Sequence, residues 1–405
     1  MKKIILIVID GLGDRPIKEL GNKTPLEKAQ TPNLDYLAQN GLCGQVLPFL
    51  YQTAIPTSEQ GHFSLFGYSP KVYQIKRGIF TAQGAGLKLK KGDLALRGNF
   101  GTVDEKLNMI DRRAGRIKNT QPLIRSLNGM VIDDGVRVLV KTAGGHRIGI
   151  VLRGKDLSSN ISDSDPHYGR LGKRVQKVLP LDKTKKARYT AQVLNKFLKS
   201  AHLILKNHPL NKKRKKMGQP PANYILTRGA SFLIKVPSFE KKYNLKACCV
   251  AGKPLYQQIG KILGMDLIKV KGANGLVNTN LKGKISAAQR ALKRHDFVFI
   301  HIKATDSLAE DGNFKGKKKF IEKIDKNLRP LLGLKDTLIV VTADHSTCSD
   351  LKRHCKEEIP ILISGARKDS VREFSERACQ KGKLGRLKQL KVMSKILWLR
   401  GLAKD

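Results

Sequence analysis

The chain has 405 residues, 78 Lys+Arg against 33 Asp+Glu, and a formal net charge of +45. Hydrophobic residues make up 40%, enough for real cores, which excludes a wholly disordered basic chain. No apolar run approaches the roughly 20 residues of a membrane-spanning helix, so no membrane partner is expected. At roughly 150 residues per domain, two or three domains are expected. The positive excess points to an anionic partner: nucleic acid, a phosphorylated small molecule, or a surface bias with no specific partner.

Met1-Lys2-Lys3 followed by Ile4–Ile9 superficially mimics a signal peptide. The apolar run is only six residues long and ends in Asp10, short of the roughly 7–15 that a signal requires. It reads as a buried strand, and the protein is expected in the cytoplasm. Leu26–Gln39 has a helical pattern that should break near Pro32. From about Val72 to Lys185 the texture changes to Gly-rich alternation, as in Val136–Lys141 and Ile148–Leu152, which predicts an α+β insertion. Thr190–Leu205 and Lys318–Leu332 have apolar residues near helical spacing. Tyr224–Leu226, Phe297–Ile302, Thr337–Thr342 and Ile359–Ile363 join Ile4–Ile9 as strands of a parallel, doubly covered sheet. Strands alternating with helices make this an α/β chain. The basic runs Lys212–Lys216 and Lys315–Lys319 read as solvated faces. The six cysteines form no CxxC pair or zinc-ribbon spacing, and are expected to be reduced thiols.

Three strand candidates run into an acid: Asp10, Asp306 (through Lys303-Ala304-Thr305) and Asp344. Open α/β sheets bind ligands at the carboxyl ends of their strands. Acids meeting in one crevice repel unless cations neutralise them, so a metal site is the simplest explanation. Glu310 lies one helical turn after Asp306, His345 follows Asp344, and His354 comes nine residues later. These N and O donors suit Zn, Mn or Mg. Ser58, at a turn before an apolar helical stretch, is either a helix N-cap or a hydroxyl that a metal activates to attack phosphorus. Arg112, Arg113 and Arg116 could clamp a phosphorylated acid or form a solvated basic turn. Gly11-Leu12-Gly13 followed by Asp14 is not the dinucleotide fingerprint.

Several segments now carry a resemblance. IVIDGLGDRP, TPLEKAQTPNLDYLAQNG, LFGYSP, RGNFGTVDEKLNMIDRRAGRI and ISDSDPH belong to this set. HPLN followed by Arg214, PANYILTRGA, HIKATD, and TADHSTC with the later His354 complete it. Together they resemble the archaeal-type cofactor-independent phosphoglycerate mutases of the alkaline phosphatase superfamily, over nearly the whole chain. The resemblance implies an alkaline-phosphatase-like α/β domain with a doubly covered, mostly parallel sheet, at residues 1–72 and 186–405. It implies an inserted α+β substrate-binding domain at 73–185. It also implies interconversion of 2- and 3-phosphoglycerate through a phosphoserine at Ser58, without 2,3-bisphosphoglycerate. Carried over, Asp10, Ser58, Asp344 and His345 form one metal site, and Asp306, Glu310 and His354 the other. Arg112, Arg113, Arg116, Asp163, Asp165, Arg228 and Lys303 become substrate contacts. Two divalent ions are expected, Mn or Mg first, with Zn or Co as alternatives. Two positions depart from the family pattern. Glu310 stands where the family usually has His, and PTSEQGHF is closer to the bacterial type. Another phosphomutase or phosphohydrolase of the superfamily is the next reading. A non-catalytic nucleic-acid-binding protein is third, and non-specific nucleic-acid binding would follow from the charge alone.

Overall fold

A computed structural model describes residues 2–50, 53–133, 135–166, 172–233 and 235–401. His167 of the ISDSDPH segment lies outside them. The chain divides into two compact units, Met1–Tyr73 with Val236–Asp405, and Gln74–Lys235.

The first unit is built on an eight-stranded sheet. Its order is Asp266–Leu267, Ala247–Val250, Phe297–Ile302, Lys3–Ile9, Thr337–Thr342, Ile359–Ser364, Gly41–Leu47 and Gly385–Lys388. All neighbours are parallel except Ile359–Ser364, which runs antiparallel to both of its own. The sheet is mostly parallel, as expected, but Ile359–Ser364 departs from its expected parallel direction, because an apolar run carries no information about its direction. Every residue of Phe297–Ile302, Thr337–Thr342 and Ile359–Ser364 is buried. Successive strand residues face opposite sides, so unbroken burial means that both faces are covered. The break near Pro32 is present: Pro25–Lys28 and Pro32–Gln39 are separate helices. Thr24 opens the first, its Oγ1 accepting from Glu27 N at 3.0 Å while its own N donates to Glu27 Oε2 at 2.9 Å.

The second unit is an antiparallel sheet. Leu94–Val103 is central, pairing with Arg147–Arg153, Tyr224–Ser231 and Met109–Asp111. Arg147–Arg153 leads on through Val136–Thr142 to Val131–Ile132. The helix Lys185–Asn207 buries Val193, Leu194, Phe197, Leu198, Ala201 and Leu205 against Leu96, Phe100, Ile150 and Ile225 of the sheet. This moves a boundary. The expected insertion ended at residue 185, but the helix and the Tyr224–Ser231 strand both belong to this unit. A three-residue apolar run such as Tyr224–Leu226 reads as a strand without revealing its partner, which is Leu94–Val103 and not the large sheet.

No helix among the described residues is long and apolar enough to cross a membrane. The basic run Lys212–Lys216 sits in the helix Pro209–Lys216, where Lys212, Lys213, Lys215 and Lys216 are exposed. Lys315–Lys319 departs from a solvated face at Lys317, which is fully buried. The expectation of six reduced cysteines also needs correction. Cys348 and Cys355 form a disulfide with Cα atoms 5.8 Å apart. Antiparallel pairing of Ser346–Cys348 with Arg353–Cys355 brings them together, which a seven-residue spacing does not announce.

Two expectations follow. Thiol titration of the denatured, unreduced protein should find four thiols, Cys43, Cys248, Cys249 and Cys379; six would remove the bridge. Gly11, just after the first strand, has φ +65°, and a Cβ there would lie 2.5 Å from Thr347 Oγ1 and 2.8 Å from Asp306 Cβ. Gly11→Ala should therefore lower stability by roughly 1–3 kcal/mol in thermal or denaturant unfolding. An unchanged midpoint would show that this turn tolerates a side chain.

Candidate metal centre and anion site

Parallel register gathers the strand ends of the first unit. Ile9 lies beside Ile302, Val8 beside Thr342, and Asp10 N donates to Ile302 O at 2.8 Å. Asp10 therefore reaches the same edge as Lys303 and Asp344. Asp306 joins them from the first turn of the helix Ala304–Glu310. Asp10 and Asp344 are 0% exposed and Asp306 1%. Burying three carboxylates together is costly unless cations and donors meet them.

Lys303 supplies one cation. Its Nζ donates to Asp10 Oδ1 at 2.9 Å and to Asp306 Oδ2. Burial alone would push both carboxyls up, but Lys303 holds both well below the usual carboxylate range. His301 adds a bond from Nε2 to Asp10 Oδ2 at 2.9 Å. Burial pushes His301 down to about 3, so its ring is neutral, and a carboxylate that only accepts places the proton on Nε2. Tyr256 stacks on that ring with centroids 3.4 Å apart.

His345 and His354 stack with centroids 3.6 Å apart. Burial lowers the pKa of His345, favouring the neutral form in which imidazole ligates metal. Burial opposes charge on His354 too, but its contact with Asp306 (Nε2 to Oδ1, 3.4 Å) outweighs this and raises it to about 9. Thr347 Oγ1 donates to Asp306 Oδ1 at 2.7 Å.

Ser58 is the first residue of the helix Ser58–Leu65, and its N-cap is Thr57. Thr57 N donates to Gln60 Oε1 at 3.1 Å. The capping duty thus falls on Thr57, and Ser58 Oγ lies 3.2 Å from His345 Nε2. Gly61 lets this helix press on the acid-bearing segment, since a Cβ there would come within 2.3 Å of Asp344 O. One turn on, His62 Nδ1 donates to Ser58 O at 2.7 Å and lies 3.2 Å from Asp344 Oδ2.

Among the described residues, three groups at this edge have potential ligand atoms within 4.8 Å of one another: Asp10, Asp344 and His345; Asp306, His345 and His354; and Asp10, His62 and His301. The donors fit divalent cations. They are carboxylate and imidazole, and buried Asp344 Oδ2 lies 3.2 Å from both His62 Nδ1 and His345 Nε2, with no aligned hydrogen-bond donor among the described residues. The sequence-derived ligands Asp10, Asp344 and His345 meet, with Ser58 beside them, and Asp306 meets His354. Glu310, the half-buried last residue of its helix, joins none of these groups. His62 and His301 were missed as participants. Both lie inside quoted motifs, PTSEQGHF and HIKATD, but neither follows a strand end directly. Lys303, expected as a substrate contact, bridges Asp10 and Asp306.

The second unit collects the opposite charge. Burial, then Arg147, Arg113, Arg97 and Arg112, push His146 down to about 3. Arg97 of the Leu94–Val103 strand pairs in register with Arg228. Arg112 makes a bidentate pair with Asp165, Nε to Oδ1 at 2.7 Å and Nη2 to Oδ2 at 2.6 Å. Asp163 Oδ1 accepts from Gly229 N at 2.8 Å. Arg113 is half-buried and Arg116 exposed on the turn that follows Met109–Asp111. Strand pairing thus adds Arg97 and Arg147 to the expected cationic set, with the neutral His146 among them. Arg97 could have been noticed in RGNFGTV, whereas His146 and Arg147 fall in no quoted motif.

A family model described as the metalloenzyme superfamily matches residues 2–397. The chain is 42% identical to the 2,3-bisphosphoglycerate-independent phosphoglycerate mutase 1 of Methanocaldococcus jannaschii, covering 98% of this chain and 97% of the relative. It resembles the solved cofactor-independent phosphoglycerate mutase of Thermoplasma acidophilum with a TM-score of 0.68 and 38% identity, covering 99% of this chain and 100% of the other. A solved Pyrococcus horikoshii protein aligns with a TM-score of 0.82 and 32% identity over 100% of this chain and 98% of its own. Buried acids and imidazoles at the carboxyl edge of the sheet, and relatives matched from end to end, place this chain in the metalloenzyme superfamily, within the family of archaeal 2,3-bisphosphoglycerate-independent phosphoglycerate mutases.

Proposed function

We propose that the chain interconverts 2- and 3-phosphoglycerate in the cytoplasm, as a step of glycolysis and gluconeogenesis, through a phosphoserine at Ser58 and without 2,3-bisphosphoglycerate. The observation that carries this reading is Ser58 Oγ, freed from capping and 3.2 Å from His345 beside the carboxylate cluster. Asp10, Asp344 and His345 would hold one divalent ion beside Ser58, and Asp306 and His354 a second. When bound, such ions neutralise charge on the transferring oxygens and favour ionisation of the serine hydroxyl.

Ser58 Oγ gives up its proton and bonds to phosphorus as the bond from phosphorus to one glycerate oxygen breaks, and that oxygen takes up a proton. The other glycerate hydroxyl then loses its proton, bonds to phosphorus and releases Ser58, whose oxygen takes a proton back. Lys303 places a cation between the two acid groups, where it stabilises a phosphoryl group in transit. Residues 74–235 are proposed as the substrate unit, with Arg112, Arg113, Arg116, Asp163, Asp165 and Arg228 as contacts. Arg fits here because its planar fork matches carboxylate and phosphate alike. The Arg112–Asp165 pair fixes one such fork in orientation.

Ser58→Ala should reduce mutase activity in a coupled 3- to 2-phosphoglycerate assay by at least roughly a thousandfold. Undiminished activity would sink the nucleophile assignment. Activity should vanish in chelator and return with divalent metal. Glu310 stands outside the three groups, but one helical turn after Asp306 it is proposed as a further oxygen donor once the second ion is bound, which favours Mn or Mg over Zn or Co. Comparing those four metals in wild type and Glu310→His tests this. The variant should gain activity with Zn or Co relative to Mn or Mg, and an unchanged preference would remove residue 310 from the ligand set.

A further inference from the structure

The basic run Lys315–Lys319 contains one residue that solvent does not reach. Lys317 is 0% exposed, on the side of the helix Phe314–Leu328 that also buries Phe320, Ile321 and Ile324. All three ammonium protons have acceptors: Asp14 Oδ2 at 2.9 Å, Gly13 O at 3.2 Å and Thr347 O at 3.0 Å. Asp14 is buried as well. Its Oδ1 accepts from Arg15 N at 2.8 Å and Ser349 N at 2.9 Å, and its Oδ2 from Ser349 Oγ at 2.6 Å.

These bonds join two segments that carry proposed metal ligands. Gly13 and Asp14 belong to the turn that begins at Asp10. Thr347 and Ser349 follow Asp344 and His345. Thr347 N also donates to Gly13 O at 3.0 Å. From the same residue, Oγ1 donates to Asp306 Oδ1 at 2.7 Å and lies 3.2 Å from His345 Nδ1. Lys317 therefore holds the backbone of the residue that orients Asp306, while staying clear of the ligand atoms themselves.

A buried ion pair is an expensive way to fill a core position. An apolar side chain packed at that place would serve stability as well or better. The direction of the bonds matters more than the packing: one ammonium fixes two carbonyls and a carboxylate from separate parts of the chain.

We propose that Lys317, paired with Asp14, is a positioning residue for the metal centre. It keeps the Asp10 turn and the Asp344–Ser349 segment in the register at which Asp10, Asp306 and His345 meet. This rests on the metal-centre reading above. Partners beyond the ligands orient them, and their loss typically costs roughly 10–100-fold in metal affinity.

The test uses chelator-stripped full-length protein, titrated with MnCl2 by calorimetry, with thermal unfolding of the same samples and mutase assays over a range of Mn. Lys317→Met should bind Mn roughly 10–100-fold more weakly than wild type. Its half-saturating Mn for activity should rise by the same factor, while kcat recovers at saturating Mn. Lys317→Met leaves Asp14 buried and unpaired, so the double variant Asp14→Asn with Lys317→Met is measured alongside. It removes both charges, so it is expected to fold even where the single variant does not, and the same weakening is expected. Wild-type Mn affinity in a folded variant, with only a lower melting temperature, would assign Lys317 to packing and overturn the inference. A wild-type chain that takes up none of Mn, Mg, Zn or Co overturns the metal-centre reading first.

Discussion

Asp10, Asp306 and Asp344 are buried around His345, which shares a group of potential ligands with each, and the first unit is organised around that concentration of like charge. Water does not screen these carboxylates, so their repulsion must be met by groups placed nearby. Lys303 bridges two of them, and His301, Thr347 and Gly11 N donate to the three in turn. Lys303, His301 and Gly11 sit at the carboxyl end of a strand or just beyond it, and Thr347 lies in the short strand Ser346–Cys348. The parallel register of Lys3–Ile9 with Phe297–Ile302 and Thr337–Thr342 makes those ends coincide. Gly11 and Gly61 remove the side chains that would keep the segments apart. Cation binding fits this arrangement because the Lys303 ammonium and the His354 imidazolium do not balance three carboxylates.

The second unit has the opposite electrostatic character. Arginines from two strands and a turn surround His146, and burial with their charge keeps that imidazole neutral. Acids enter this set as fixed partners: Asp165 orients Arg112, and Asp163 bonds to the backbone at Gly229. Such a cluster suits a small ligand bearing both carboxylate and phosphate, since both match the guanidinium fork. The charge of +45 is far larger than this set uses. Exposed lysines such as those of Pro209–Lys216 account for part of the rest.

The separate strands and helices were legible because burial on both faces leaves unbroken apolar runs, and amphipathic helices leave a periodic one. Pro32 marked a helix break that is present. Partner choice was not legible. Tyr224–Ser231 pairs with Leu94–Val103, and the insertion grows by a helix and a strand as a result. Ile359–Ser364 runs against its neighbours. The bridge between Cys348 and Cys355 and the burial of Lys317 inside a lysine run follow from pairing and packing that spacing does not encode.

For the site, sequence alone determined which chemistry was available: an acid directly after one strand, a second beyond Ala343 after another and a third a few residues beyond a further strand, a serine before a helix, two histidines near the last acid, and an arginine-rich turn. Those follow from local rules, since a strand end and a helix start lie within a few residues of the group they present. Only the tertiary structure decided which of them meet. It added His62 and His301 to the acid cluster, set Lys303 between two carboxylates, left Glu310 outside the three groups, and put Arg97, Arg147 and His146 together. Contacts of this kind join residues separated by tens to hundreds of positions, and strand register and helix packing fix them. Neither quantity is written in any single stretch of chain.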